Sequence, residues 1–110
     1  MVEIELASRS DLDGIINAGI VLVDFNAPWC APCRAQEPIV QELERTFSGR
    51  VGFVTVNIDK SREIALNLGI QSIPTIILFR NGKEVDRFVG LQSAEALARA
   101  LGRASSVYCH

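Results

Sequence analysis

Apolar residues follow two different spacings along the chain. Residues 20–25 are apolar on both faces except at Asp24, which is typical of a strand that helices cover on both sides. Residues 30–47 instead repeat their apolar positions every three or four residues, which indicates an amphipathic helix with one buried stripe. Pro38 lies within that helix and is expected to kink it, because its ring removes a backbone hydrogen bond.

The predicted elements alternate in the order βαβαβα and then finish as ββα. Strands joined by a helix can run parallel, whereas Asn81-Gly82 predicts a tight antiparallel hairpin because both turn positions favour positive φ. We therefore expect an α/β fold with a mixed five-stranded sheet flanked by four helices on its two faces. The expected strands are residues 2–6, 20–25, 51–58, 75–80 and 84–89. The first expected helix has its N-cap at Ser10 and ends near Gly19, and the second and third cover residues 30–47 and 61–68. The last expected helix has its N-cap at Ser93 and ends at about Leu101.

Length, charge and hydropathy exclude several classes of protein. The 110 residues suit a single domain, 1–110, in which residues 103–110 are expected to form a frayed tail. The net charge of −2 gives no attraction to nucleic acid or to an anionic membrane, and no apolar run is long enough to span a bilayer. The first residues contain acids where a secretory signal needs a basic and an apolar segment. We therefore expect a cytoplasmic protein, in a compartment that disfavours permanent structural disulfides.

The run Trp29-Cys30-Ala31-Pro32-Cys33 directly follows the second predicted strand and opens the long helix. Two cysteines three positions apart on a helix can close a disulfide and reopen it, so the pair can carry two electrons reversibly. The N-terminus of a helix stabilises an anion, so we expect a lowered pKa for Cys30 and attack by its thiolate. Cys33 is expected to be the more buried sulfur and to react second.

Two other interpretations of the cysteines stay open from the residues alone. The pair can simply be two small core residues. A structural zinc site would need four ligands, for which only Cys109 and His110 remain, and adjacent ligands at the extreme C-terminus give poor geometry, so no metal is expected. Cys109 is most simply an exposed thiol of the tail; the alternative is a regulatory or dimer-forming cysteine.

Asp24 is an acid in the middle of an apolar strand that ends a few residues before the cysteines. Burial disfavours the charged form of a carboxyl group, so its pKa should rise. We hypothesise that Asp24 shuttles the proton of Cys33, directly or through a water, as a general base in one direction and an acid in the other. The alternative is an acid at a strand end that faces solvent.

Pro74 follows Ile73 immediately before the fourth predicted strand. Proline is the only residue for which a cis peptide bond is inexpensive, yet these residues by themselves favour an ordinary trans bond. A cis bond at this position would present backbone N–H and C=O groups to an extended substrate segment.

Further short motifs accompany the cysteine pair over residues 10–101. They are Val23-Asp24-Phe25, Trp29-Cys30-Ala31-Pro32-Cys33-Arg34, Pro38, Val56-Asn57-Ile58-Asp59, Gly69-Ile70, Ile73-Pro74-Thr75, Phe79-Arg80-Asn81-Gly82 and Val89-Gly90. Their identity and order resemble those of the thioredoxin family. Several independent motifs in one order are far more specific than a lone pair of cysteines.

The resemblance implies a thioredoxin fold and a thiol-disulfide oxidoreductase that reduces protein disulfides. It implies that Cys30 is the attacking nucleophile, Cys33 the resolving thiol and Asp24 the buried proton carrier, with a reversible Cys30–Cys33 disulfide. It also implies a cis bond at Ile73-Pro74. The implied docking surface for substrates consists of Trp29, Ala31, Pro32, Ile73, Pro74, Val89, Gly90 and Leu91.

The resemblance further implies a place in cellular electron transport and redox homeostasis. The implied partners are disulfide-containing target proteins and a thioredoxin reductase that holds its own flavin, so this chain needs no cofactor and is expected to be a monomer. Ala31-Pro32 favours a reductase over an isomerase or oxidase, whose relatives usually carry a histidine before the second cysteine. The alternatives are a non-enzymatic binding module that uses the same docking surface, and a dedicated electron donor to one target.

Three residues depart from the pattern of the family. Ala31 stands where most thioredoxins have glycine, and Asn26 stands where many have an aromatic residue. Thr55 occupies the position of a lysine often found near the buried acid. Loss of that cation should raise the pKa of Asp24 further, because the carboxylate loses a partner of opposite charge.

Overall fold

The computed structural model describes residues 1–106 of the chain. The strands are β1 (Val2–Ile4), β2 (Ile20–Asn26), β3 (Val51–Asn57), β4 (Thr75–Arg80) and β5 (Lys83–Val89), and the helices are α1 (Arg9–Ile16), α2 (Ala31–Thr46), α3 (Arg62–Asn67) and α4 (Ala94–Ser106). The order of these elements confirms the prediction from the sequence. All five strands form one mixed sheet, as expected.

The sheet has the strand order β1-β3-β2-β4-β5, so β2 lies at its centre. β1, β3 and β2 run parallel, whereas β4 and β5 are antiparallel to their neighbours. The direction of β4 differs from what its helical connection indicates. Asn26 is level with Asn57, and Phe25 is level with Thr75, so α3 and the segment after it return the chain to the edge where β2 and β3 end. This return brings Ile73-Pro74 to the edge of the sheet from which α2 begins.

Alternate side chains of β2 face two separate cores, as the twofold repeat of a strand requires. Leu22 packs with Leu43 in the core beneath α2 and α4. Val23 packs with Leu12 in the core beneath α1 and α3. Asp24 follows this alternation and therefore lies on the face that α2 covers.

Local signals in the sequence predict two of the turns and caps correctly. Asn81 and Gly82 have φ values of 52° and 86°, as the hairpin between β4 and β5 requires. The Ser93 hydroxyl accepts a hydrogen bond from the Ala96 N–H at 3.1 Å and caps α4. That helix continues to Ser106 rather than ending near Leu101.

The predicted N-cap of the first helix at Ser10 is wrong. The Ser8 hydroxyl accepts a hydrogen bond from the Asp11 N–H at 3.2 Å, and the Asp11 carboxylate accepts one from the Ala7 N–H at 2.9 Å. This reciprocal pair satisfies two backbone donors at the start of α1, two residues earlier than Ser10 and Asp13 would place it.

Among residues 1–106, no helix combines the length and the apolar character needed to cross a bilayer. Within the same part of the chain, no cluster of three or more His, Cys, Asp or Glu side chains has the arrangement of a metal site. Cys109 and His110, on which the zinc and tail alternatives depend, lie outside the described residues.

Candidate active site

The two cysteines lie at the N-terminus of α2, where the backbone donors of the first turn are unpaired. Cys30 is the N-cap, and its Sγ accepts a hydrogen bond from the Cys33 N–H at 3.2 Å. The two sulfurs are joined as a disulfide across a Cα–Cα distance of 5.3 Å. The sequence therefore places the pair correctly, with α2 itself beginning one residue later than predicted.

The surroundings of the disulfide are mostly apolar. Ala27 packs against Cys30 and Cys33, with Ile58 and Ile73 at the edge of the cluster. The Cys30 Sγ lies 3.8 Å from the Ile73 carbonyl oxygen. Both cysteine residues are 5% exposed in the disulfide form, so whole-residue exposure does not distinguish them, and the greater burial of the Cys33 sulfur stays a prediction.

Asp24 is buried, with 1% of its surface exposed, rather than turned to solvent. Its Oδ1 has no hydrogen-bond partner among residues 1–106. Burial raises the pKa of Asp24 to about 7, the side chain of Asn26 acts to lower it, and the negative charge of Glu37 raises it. The direction predicted from the sequence is confirmed, and the main cause is loss of solvation.

Two of the residues that depart from the family pattern contact each other beside Asp24. The Asn26 side-chain amide donates a hydrogen bond to the Thr55 hydroxyl, and that hydroxyl is 3.3 Å from the Asp24 backbone carbonyl, to which it donates. Asn26 and Thr55 also line an open cleft of about 480 Å³. Cys33 and Glu37, one turn apart on α2, line the same cleft. The cleft therefore connects solvent with the residues that surround both Asp24 and Cys33.

The residues of the expected docking surface differ in their exposure. Trp29, Val89 and Leu91 are 66%, 60% and 50% exposed, although large apolar side chains are usually buried. The Trp29 indole N–H donates a hydrogen bond to the Asp59 carboxylate at 2.9 Å. Ala31 and Pro32 are exposed, whereas Ile73 and Gly90 are half-buried and Pro74 is buried.

Backbone contacts connect the parts of this surface. The Ile73-Pro74 peptide bond is cis. The Pro74 carbonyl accepts a hydrogen bond from the Gly90 N–H at 2.8 Å. The Ile73 carbonyl lies beside the Cys30 sulfur. The next residue, Pro74, makes the hydrogen bond to the turn after β5. Three separate regions of the chain therefore meet at the disulfide.

Sequence reasoning missed Gln36, a polar side chain that is 0% exposed. Its amide makes two hydrogen bonds to the backbone of Gln92, at the end of the turn after β5. The signal was present in the sequence, because Gln36 interrupts the stripe of buried positions that includes Cys33, Val40 and Leu43. A polar residue on a buried stripe requires a polar partner.

Comparison with known proteins gives consistent results. The family model described as Thioredoxin matches residues 4–103. The chain is 41% identical over 102 residues to a thioredoxin of Chlamydia caviae, covering 93% of this chain and 99% of that protein. It is 38% identical over 94 residues to a thioredoxin of Staphylococcus epidermidis, covering 86% and 90% of the two chains. The X-ray structure of Fasciola hepatica thioredoxin is similar with a TM-score of 0.83 and 34% identity, covering 94% of this chain and 99% of that one.

Proposed function

This chain belongs to the thioredoxin family and is a thiol-disulfide oxidoreductase that reduces protein disulfides, and we propose that Cys30 attacks the target while Cys33 releases it. The observation that supports this assignment is the position of the Cys30 sulfur. It caps α2, where it accepts the Cys33 N–H, and it lies beside Ile73 of the expected docking surface. A thiolate at that position is stabilised by the backbone donors of the first helical turn.

The reaction proceeds by two successive thiol-disulfide exchanges. In the first, the Cys30 thiolate attacks one sulfur of the target disulfide, and the other target sulfur leaves as a thiolate. In the second, the Cys33 thiolate attacks the Cys30 sulfur of the mixed disulfide, and the second target sulfur leaves. The dithiol loses two electrons, the target gains them, and the chain ends in the Cys30–Cys33 disulfide form described above.

We propose that Asp24 accepts the proton that Cys33 must lose before the second exchange. A carboxyl group with a pKa of about 7 is ionised to a substantial degree at neutral pH, yet is basic enough to take a proton from a thiol. Asp24 lies on the face that α2 covers, and its neighbours Asn26 and Thr55 line the same cleft as Cys33, which supports this role. The carboxyl group then returns the proton to solvent, through water in the same cleft.

The pH dependence of the second exchange tests the role of Asp24. In Asp24→Asn the amide cannot accept a proton, so we expect resolution of a preformed mixed disulfide to become slower and to lose its inflection near pH 7. Rapid-quench measurement of target release between pH 5 and 9 would record this. A variant that kept the wild-type pH profile would exclude Asp24 as the base.

The docking surface, as defined above, is proposed to bind the target around the disulfide. Trp29 directly precedes Cys30, and Val89 and Leu91 flank Gly90, whose N–H donates to the Pro74 carbonyl. All three side chains are exposed, and exposed apolar patches commonly mark binding sites. We further propose that a thioredoxin reductase recharges the chain, that targets are disulfide-containing proteins, and that the chain works as a monomer in the cytoplasm. The relatives named above are themselves thioredoxins, which supports this set of partners.

Reduction of insulin disulfides by serine variants tests the assignment of the two sulfurs. With a reductase supplying electrons, we expect Cys30→Ser and Cys33→Ser each to lose catalysed turnover completely. Cys109→Ser is the matched control and should retain the wild-type rate. If Cys30→Ser kept a substantial fraction of the activity, the proposed nucleophile would be wrong.

A further inference from the structure

Gln36 carries a hydrogen-bonded amide inside the otherwise apolar packing of α2. Its side-chain oxygen accepts a hydrogen bond from the Gln92 N–H at 2.7 Å, and its side-chain nitrogen donates one to the Gln92 carbonyl at 3.1 Å. With 0% exposure, the amide of Gln36 has no access to bulk water. The geometry matches one side-chain amide to one backbone residue, with both a donor and an acceptor on each side.

Gln92 ends the turn that carries part of the docking surface, residues 89–92. Its side chain donates a hydrogen bond back to the Gly90 carbonyl at 3.3 Å. The Gly90 N–H in turn donates to the Pro74 carbonyl at 2.8 Å. The 89–92 turn is thus attached at two points, to α2 through Gln36 and to the segment beside Cys30 through Pro74.

We propose that Gln36 is a positioning residue that fixes the 89–92 turn relative to the Cys30 sulfur and thereby determines how tightly protein disulfides dock. This inference rests on the proposed role of the docking surface. Gln36 lies one turn after Cys33 on the same helix, so its two hydrogen bonds tie the exposed Leu91 to the element that carries both reactive sulfurs. The side-chain hydrogen bonds of Gln36 go to Gln92, so it acts through the 89–92 turn.

Loss of the Gln36 amide leaves a backbone N–H and a C=O of Gln92 without their partners in a partly buried site. Buried unpaired groups are unfavourable, so the turn is expected to move toward solvent and carry Leu91 away from its position. A small disulfide needs only the sulfurs and is not affected by such a movement. A protein disulfide needs both the sulfurs and the displaced surface.

The experiment compares two substrates in the full-length protein. Gln36→Met keeps the unbranched shape and removes both hydrogen bonds. We expect its KM for insulin to rise about tenfold, with kcat nearly unchanged. A change of this size is what the net loss of about one hydrogen bond would cause. The rate with a small aromatic disulfide should stay the same. Val40→Ala, a buried apolar truncation one turn further along α2, is the matched control and should leave the insulin KM unchanged.

A second variant separates this inference from the docking surface itself. Leu91→Asp places a charge directly on that surface, and we expect it to raise the insulin KM. If Leu91→Asp raises the KM but Gln36→Met does not, the inference about Gln36 is overturned and the docking surface stands. If neither changes the KM, the proposed docking surface is wrong and this inference fails with it.

Hydrogen exchange of the wild-type protein gives a test that does not depend on any variant folding. The Gln92 N–H donates to a buried acceptor, so we expect it to exchange far more slowly than the amide of exposed Leu91. Equal exchange rates for these two amides would show that the pairing with Gln36 is absent in solution, which would overturn the inference.

Discussion

The two faces of the sheet bury different kinds of side chain. The face beneath α1 and α3 is apolar around Leu12, Val23 and Phe25. Its buried polar side chains, Ser61 and Thr75, are uncharged and hydrogen-bonded. The face beneath α2 and α4 is equally apolar around Leu22 and Leu43, but at the edge where β2 ends it buries Asp24 and Gln36 as well. Both faces support the same strands, so the contrast arises from their contents and not from their topology.

The polar groups buried on the face beneath α2 and α4 lower the stability of the protein. A buried carboxyl group with an unpaired oxygen is less favourable than a close-packed apolar residue. The reactive sulfurs lie at the start of the helix that covers this face, since Cys30 caps α2 and Cys33 lies in its first turn. The comparison indicates that the apolar face provides stability, whereas the edge of the other face gives up some stability for proton transfer and docking.

The largest expected effect is on stability and comes from Asp24→Asn in the disulfide form. The pKa of Asp24 is raised from 3.8 to about 7, so the folded protein binds a proton that the unfolded chain releases. The free energy of unfolding of the wild type should therefore fall as pH rises from about 4 to 7. In the amide variant this contribution to the pH dependence is absent. The variant should gain up to about 4 kcal/mol relative to wild type above pH 7, and much less near pH 4.

Urea unfolding at a series of pH values measures this difference. Val23→Ala, the preceding residue of β2 on the apolar face, is the control and should lose stability by an amount that does not depend on pH. If the gain of Asp24→Asn were the same at pH 4 and pH 8, the raised pKa could not be its cause.

The next effect concerns the apolar face alone. Leu12 is 0% exposed, and Leu12→Ala should lower the free energy of unfolding by about 3 kcal/mol through lost burial and a residual cavity. Insulin reduction well below the melting temperature should keep its wild-type kcat and KM. A change in either constant in the folded variant would contradict the division of roles between the two faces.

A smaller effect is expected at the start of α1. Ser8→Ala removes the hydroxyl that accepts the Asp11 N–H and should cost about 1 kcal/mol of stability. Ser10→Ala, at the position that the sequence suggested for the cap, is the matched control. Thermal unfolding that showed an equal loss for both variants would contradict the cap at Ser8.

The finest expected effects are shifts in the Asp24 titration. Burial is the main cause of its raised pKa, and two neighbours act on it in opposite directions. Glu37→Gln removes a negative charge and should lower the pKa below about 7, whereas Asn26→Ala removes a favourable amide and should raise it. Carboxyl-carbon NMR titration of Asp24 measures both, and shifts of the same sign would contradict this assignment of causes.

Much of the fold could be predicted because local signals and global arrangement agree. The cysteine motif predicts the start of α2, and Asn81-Gly82 predicts the hairpin, since each depends on a few adjacent residues. The direction of β4 could not be predicted in this way. It depends on where α3 delivers the chain, and a six-residue helix can either cross a sheet or return to the same edge.

The parts of the candidate site that depend on the type of a single residue could be predicted from the sequence. The parts that depend on contacts between residues far apart in the chain could not. Cys30 and Asp24 are conspicuous as residue types in their elements. The partnership of Gln36 with Gln92 joins positions 56 residues apart, and the only sign of it is a polar residue on a buried stripe. The contact of Asn26 with Thr55 likewise requires the register of two strands.

The identity of the sulfur that captures a target tests the central claim most directly. Cys33→Ser protein, reduced and mixed with an excess of a disulfide-containing protein, should accumulate a mixed disulfide, because the resolving thiol is missing. Peptide mapping of that complex by mass spectrometry should find the target attached to Cys30. A target attached to Cys109, or no trapped complex under conditions where wild type reduces the same protein, would contradict the account.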